Sequence, residues 1–245
     1  MAIAQRAFLP TFIALAGVVA PAVAQERVAH ELGEIEFLVR RAGVVVAAPH
    51  GTYDANTAAL ALEAARRLDA SYVLARRFVV EGVRINVNRP SEGADLTCAR
   101  ESRSARSRDV YRHYARAVGV AAQGQPLALY VEIHGNSNPQ TSGRFEIATQ
   151  GISRAQALAL KDAWPRMLAR VRDKNPDYPA FAVLVEPADR IHYGAGCLKR
   201  IGIASTEIAP RLVHFELPRS ARERPARDAT TLLIIDVVRR LLGER

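Results

Sequence analysis

Short apolar runs alternate with amphipathic stretches along this chain. The runs "EIEFLVR" and "GVVVAA" read as strands joined tightly through residues 41–43. Residues 54–68 read as a helix, because "TAALALEAARRL" repeats apolar positions at helical spacing. "SYVLAR" and "VRINVN" are short strands, residues 104–120 an amphipathic helix, "LALYVEIHG" a strongly apolar strand and "RFEIAT" another. Residues 153–172 form the next helix, with Ser153 as its N-cap. "AFAVLVE" and "LVHFELP" follow as strands, and a last helix over about 227–242 buries "TTLLIIDVVRRLL". The alternation predicts a single α/β domain: a mostly parallel mixed sheet with helices on both faces, some pairs near its start being antiparallel. No internal repeat, low-complexity tract or linker interrupts the pattern.

In such sheets ligands gather at the carboxyl ends of the strands. Four polar clusters follow apolar runs here: "PHGTYD", "NVNRP", "EIHGN" and "HFELP". The loops over 90–103 and 187–199 are also long for a compact domain, as functional loops tend to be. His50 and His134 each end an apolar run and precede a glycine that lets the chain turn away. Two histidines at neighbouring strand ends begin a zinc site, with a carboxylate as third ligand and the fourth position left to water. Asp54 is the choice for that carboxylate. Glu132 is the rival, either as a ligand or as the acceptor that fixes a histidine tautomer, since it shares a strand face with His134. Glu216 ends a late strand and suits a base that takes a proton from water. His214, two residues earlier on the same face, is at most an auxiliary group. Arg84, Asn86 and Asn88 alternate along one strand, and Arg89 starts the turn that Pro90 fixes; an Asn beside an Arg can fork onto a carboxylate.

Bulk properties narrow the setting. The 245 residues open with Arg6, an apolar run and "PAVA", the plan of a secretory signal peptide over 1–24, which leaves 25–245 as one domain. The run over 7–20 is too short for a membrane span, and no second long apolar segment follows, so stable membrane insertion is not expected. The expected location is periplasmic or secreted. There Cys98 and Cys197 sit in an oxidising compartment that permits a disulfide, although spacing alone does not show that they meet. The net charge of +9 fits acidic substrates or anionic envelope polymers. Nucleic acid is not an expected partner, because the basic stretch "RESRSARSRDVYRHYAR" carries few aromatic residues for base stacking.

"PHGTYDANT", "VNRP", "EIHGN" and "HFELP", in this order over about 44–216, resemble the N-formylglutamate amidohydrolase family, which is similar in fold to the zinc carboxypeptidases. The resemblance implies a zinc-carboxypeptidase-like (phosphorylase/hydrolase-like) fold and a bound Zn2+. His50 and His134 match zinc-binding histidines. "HGTYD" departs from the H-x-x-E of carboxypeptidases and resembles the H-G-G-x-E of poly-γ-glutamate hydrolases, which bears on Asp54. Asn88 and Arg89 match a pair that binds the substrate carboxylate, and Glu216 matches a catalytic glutamate. For the transition-state arginine of the carboxypeptidases, both Arg84 and Arg144 are candidates. Tyr193, in the second long loop, is weakly similar to a lid residue.

The expected function is thus an exported zinc-dependent hydrolase that cleaves an amide or peptide C–N bond in a small carboxylate-bearing substrate. The competing expectation is a non-catalytic protein on a hydrolase scaffold that binds anionic envelope components. Formylglutamate itself is a poor candidate substrate for an exported chain. Oligomeric state is not legible.

Overall fold

The computed structural model describes residues 25–94 and 98–244. The expected signal peptide, residues 1–24, lies outside the described residues. In chain order the elements are β1 (Gln25–His30), β2 (Gly33–Leu38), β3 (Arg41–Ala48), α1 (Thr57–Leu68), β4 (Ala70–Arg76), β5 (Val79–Val80), β6 (Val83–Asn86), β7 (Ser91–Glu92) and α2 (Ala105–Ala121). They continue with β8 (Leu129–Asn136), β9 (Arg144–Gln150), α3 (Arg154–Lys174), β10 (Ala182–Val185), α4 (Gly196–Ile201), β11 (Leu212–Pro218), α5 (Arg219–Arg222) and α6 (Arg227–Leu242). Among the described residues no helix is long and apolar enough to cross a membrane.

Eight strands form one mixed sheet in the order β1-β2-β4-β3-β8-β11-β9-β10. Its centre, β4-β3-β8-β11, is parallel. The β9–β10 pair is parallel too, while β1–β2, β2–β4 and β11–β9 are antiparallel. β2 and β3, which follow one another tightly in the chain as expected, are separated in the sheet by β4. Two layers of core cover the sheet. One packs α1, α3 and α6 on one face, and the other packs α2 and part of α4 on the opposite face. The capping box of α3 pairs Ser153 with Gln156, as the serine at its start foretold.

The period of two along each central strand divides its side chains between these layers. On β8, Leu129, Val131 and Ile133 enter the α1/α6 core, while Tyr130 enters the α2 core. Glu132 and His134 continue the Tyr130 face. On β11, Val213, Phe215 and Leu217 face α1/α6 and Leu212 faces α2. His214 and Glu216 continue the Leu212 face. Each face pointing toward α2 therefore changes from apolar to ionisable as it reaches the carboxyl edge.

The "NVNRP" cluster is delivered differently from the other three. β6 belongs to a separate three-stranded antiparallel sheet, β5-β6-β7, and not to the main sheet. The cluster reaches the same region as a flap laid over the edge, because Asn88 bonds Glu132 on β8.

Candidate active site

At the carboxyl edge of β3, β8 and β11 lies a cleft of about 840 Å³. His50, Asp54, His134, Glu216, Arg84 and Arg89 all line it. His50 follows β3, Asp54 sits in the turn before α1, and His134 projects from β8. Their potential ligand atoms all lie within 4.8 Å of one another, and all three residues are buried. Asp54 Oδ2 is 3.6 Å from His50 Nδ1 and 3.4 Å from His134 Nδ1. Ligand atoms about 2.0–2.1 Å from a tetrahedral zinc stand roughly 3.3–3.4 Å apart, close to these separations.

Neither ring nitrogen of His50 has a hydrogen-bond partner among the described residues, although both are buried. Such orphaned polar atoms are costly unless something absent from the protein itself engages them. Burial and the nearby Arg84 guanidinium hold His50 neutral, its pKa lowered to about 3. A neutral imidazole is the form that binds a metal. Burial also works against a charged His134, but the Asp54 and Glu132 carboxylates outweigh it and raise its pKa to about 9. Burial works the other way on Asp54, yet the two histidines hold its carboxyl well below the usual range. His50, Asp54 and His134 thus form a donor set that can hold a metal.

Glu132 occupies a different place. It is wholly buried beneath the cleft and absent from its lining. Its carboxylate accepts from the Asn88 amide at 3.2 and 2.9 Å and from the Tyr130 hydroxyl at 3.0 Å. Its Oε2 lies 2.9 Å from His134 Nε2 and 3.3 Å from His214 Nδ1. Tyr130 in turn meets the Tyr114 hydroxyl of α2 at 2.9 Å. Burial penalises the charge of Glu132, but the two histidines keep its carboxyl far below the ordinary range. An ionised Glu132 accepts the Nε2–H of His134 and leaves Nδ1 turned toward Asp54. Of the two roles open to Glu132 in the sequence, its position corresponds to the tautomer-fixing one.

The arginines divide by partner. Arg89 is clamped to Glu101 through Nε at 2.9 Å and Nη2 at 2.5 Å, and it also donates to Asn88 Oδ1. Arg84 lies over the exposed ring of Tyr53 at 5.1 Å, and its buried Nε has no hydrogen-bond partner among the described residues. Two residues expected to bind substrate do not line the cleft. Asn88 has turned inward, where its amide is consumed by Glu132 and Arg89. Arg144 is paired with Glu146 at 2.8 and 2.7 Å. Glu146 then accepts the backbone N–H groups of His192 and Tyr193 at 2.8 and 2.9 Å. Arg144 thereby fastens the loop whose His192 and Tyr193 do line the cleft.

Two participants are not marked by the sequence reading, and a third, His214, is given only an auxiliary place by it. Arg222 of α5 is a buried guanidinium beside the cleft that donates to the carbonyls of Leu217, Ala55 and Asn136. No motif marks it. The side-chain amide nitrogen of Asn136, in the cleft wall, is buried without a hydrogen-bond partner among the described residues. His214 was ranked low, yet it stacks on His134 with ring centroids 4.1 Å apart. The repeated acid–x–histidine spacing in "EIH" and "HFE" was the available signal for it. Finally, Cys98 and Cys197 do meet, forming a disulfide that staples the first long loop to α4 at the cleft wall.

Gly51 lies in the turn that leaves β3, as expected, whereas the glycine after His134 serves close approach and not a change of chain direction. Gly135 remains within β8, and a Cβ on it would lie 2.3 Å from Arg222 Cζ. Gly135→Ala should push that guanidinium off its carbonyls and cost about 1–3 kcal/mol, as overpacking does. Chemical denaturation of the variant checks this, and an unchanged midpoint would show that the arginine relocates freely.

No family model matches this chain. No curated protein matches it by sequence. Solved structures of similar arrangement exist at low identity. One is a bacteriophage poly-gamma-glutamate hydrolase, 11% identical with a TM-score of 0.47, covering 91% of this chain and 92% of that one. Another is an N-formylglutamate amidohydrolase from Ralstonia eutropha JMP134, 14% identical with a TM-score of 0.46, covering 83% and 96%. A third is a metallo-carboxypeptidase from Pseudomonas aeruginosa, 13% identical with a TM-score of 0.42, covering 85% and 61%. The kinds of protein that the four motifs resemble are therefore among its structural neighbours.

Proposed function

We propose that this protein is an exported zinc-dependent hydrolase that cleaves an amide or peptide C–N bond in a small carboxylate-bearing substrate. The observation that carries the reading is the pair of orphaned, buried nitrogens of His50, set beside Asp54 and the turned-out Nδ1 of His134. Zinc held by these three residues would supply Lewis-acid activation of water and of the scissile carbonyl. Glu216 takes a proton from the attacking water as its oxygen bonds to the carbonyl carbon. It then delivers that proton to the nitrogen as the C–N bond breaks, so that an acid and an amine leave. Arg222 and the side-chain amide nitrogen of Asn136 place positive charge and a donor at the same wall.

The substrate carboxylate is assigned first to Arg84, whose guanidinium lines the cleft and forms no ion pair among the described residues, with Arg89 beside it. Charge-assisted hydrogen bonds are worth about 1.5–3 kcal/mol. Arg84→Ala should accordingly raise KM about 10–100-fold for carboxylate-bearing substrates and much less for their amidated analogues. Equal losses for both would make Arg84 structural. Arg89→Ala should instead lower thermal stability, because it removes a two-point cationic partner of the buried Glu101 and leaves the Ser91 hydroxyl, a weaker partner, to meet its charge.

Metal uptake has a pH signature. His134 must lose its proton to bind zinc, so below pH 9 each ion displaces about one proton, and above it none. Apparent affinity should climb about tenfold per pH unit up to that point. Calorimetric titration at neutral pH in buffers of different ionisation enthalpy reads the proton directly. Zero release would contradict a charged His134 in the metal-free protein.

The deciding experiment is metal analysis of the native protein, followed by a screen of amides and peptides with and without a free carboxylate. Stoichiometric zinc, with cleavage that a chelator abolishes and zinc restores, supports the enzyme. A protein that takes up no zinc and binds anionic polymers supports the non-catalytic alternative.

A further inference from the structure

One imidazole in the site is used by none of the steps above. His214 is buried on β11, two residues before Glu216, and both its ring nitrogens meet carboxylates. Nδ1 lies 3.3 Å from Glu132 Oε2, and Nε2 lies 3.2 Å from Glu216 Oε1. The same Glu132 oxygen also holds His134 Nε2 at 2.9 Å. Parallel pairing of β8 with β11 sets Glu132 opposite His214 and His134 opposite Glu216, so the four side chains stand together on one sheet face. A glutamate at a strand end has three rotatable bonds, and this one borders the cleft. Without a partner its carboxylate would sample several rotamers.

We propose that His214 is the positioning residue of Glu216, and that Glu132 anchors it in the same frame as the metal-facing His134. The bridge fixes where the proton-transferring carboxylate stands relative to His134, the donor opposite it. Glu132, satisfied by Asn88 and Tyr130 on its other sides, is the immobile end of the relay of contacts. The inference deepens the reading of Glu216 as the base and rests on it for its catalytic consequence.

Three substitutions in the full-length chain separate the two bonds. The amide nitrogen of His214→Gln reaches the place of Nε2 and keeps the contact to Glu216. That of His214→Asn reaches the place of Nδ1 and keeps only the contact to Glu132. His214→Leu keeps neither. Crystal structures should show the Glu216 carboxylate in place in the Gln variant and swung away in the Asn and Leu variants. A displacement of about 1 Å can cost about 10²-fold in rate. With the amide found in the screen, kcat should fall by that order for Asn and Leu, with KM little changed and Gln rescuing most of the loss. In a Glu216→Gln background, His214→Leu should add almost nothing. A Glu216 that stays in place in the Leu variant, or an equal fall of kcat in both backgrounds, overturns the proposal. Full activity of Glu216→Gln by itself would instead refute the base assignment, while the crystal structures still decide the positioning. If the Leu variant does not fold, the Gln and Asn pair alone gives the answer.

Discussion

Glu216→Gln should lower kcat by about 10²–10⁴-fold, the range that general acid–base groups contribute, while zinc content and thermal stability stay close to those of the unmodified protein. The residue stands on β11 in register with His134 on β8, so the two share one edge. Its side chain opens into the cleft and makes a hydrogen bond to His214 at 3.2 Å. It is not one of the three residues gathered at Asp54. Glutamine keeps the shape and a carbonyl acceptor for His214 but cannot take up a proton. Other carboxylates near the metal donors are poorly placed to substitute: Glu132 is sealed beneath the floor with its oxygens occupied, and Glu146 holds the loop that carries Tyr193. Steady-state kinetics with parallel metal analysis provides the check. An unaltered rate would move the base elsewhere, and a joint loss of zinc and activity would make Glu216 a ligand.

Removing the disulfide should produce the largest change in stability. Cys98 and Cys197 are separated by 99 positions. In the chain-entropy account, a bridge closing about 100 residues restrains the unfolded chain by about 4.7 kcal/mol. For a domain of this size each kcal/mol corresponds to roughly 2–4 °C. Replacing both cysteines by serine should therefore lower Tm by roughly 10–20 °C. The effect should reach the site, because the bridge ties α4 to the loop that supplies Glu101, and Glu101 holds Arg89. Reductant should lower the Tm of the unmodified protein by a similar amount and leave the double serine variant unchanged. A shift below about 2 °C would mean that the bridge restrains little.

Much of the arrangement is readable before any folding is considered. The alternation of residues along "LALYVEIHG" and "LVHFELP" tells which side chains share a face, because a strand's side-chain period is fixed by backbone geometry. That rule alone pairs Glu132 with His134 and His214 with Glu216. Ser153 followed by Gln156 marks the start of α3 for an equally local reason. The grouping of His50, Asp54 and His134 needed one assumption beyond this, that β3 and β8 are neighbours in the sheet, and they are.

Partners brought together from distant positions were not readable in this way. "VRINVN" carries the same alternating signature whether it joins the main sheet or, as it does, a small sheet folded over it. Its placement spends the Asn88 amide on Glu132 rather than on the cleft. Arg144 looked as available as Arg84 until pairing with Glu146 bound it to the loop over His192 and Tyr193. Arg222 acquires its role from Ala55, a residue 167 positions away, and from the space left by the missing side chain of Gly135. The sequence by itself determined the order of elements, the faces of the strands and the chemistry at their ends, since backbone sterics and hydrophobic periodicity act over a few residues. Tertiary structure alone decided which arginines are tied to acidic partners, which carboxylate is sealed in and that the cysteines meet, because charges and thiols choose among neighbours that only strand order and register bring within a few ångströms.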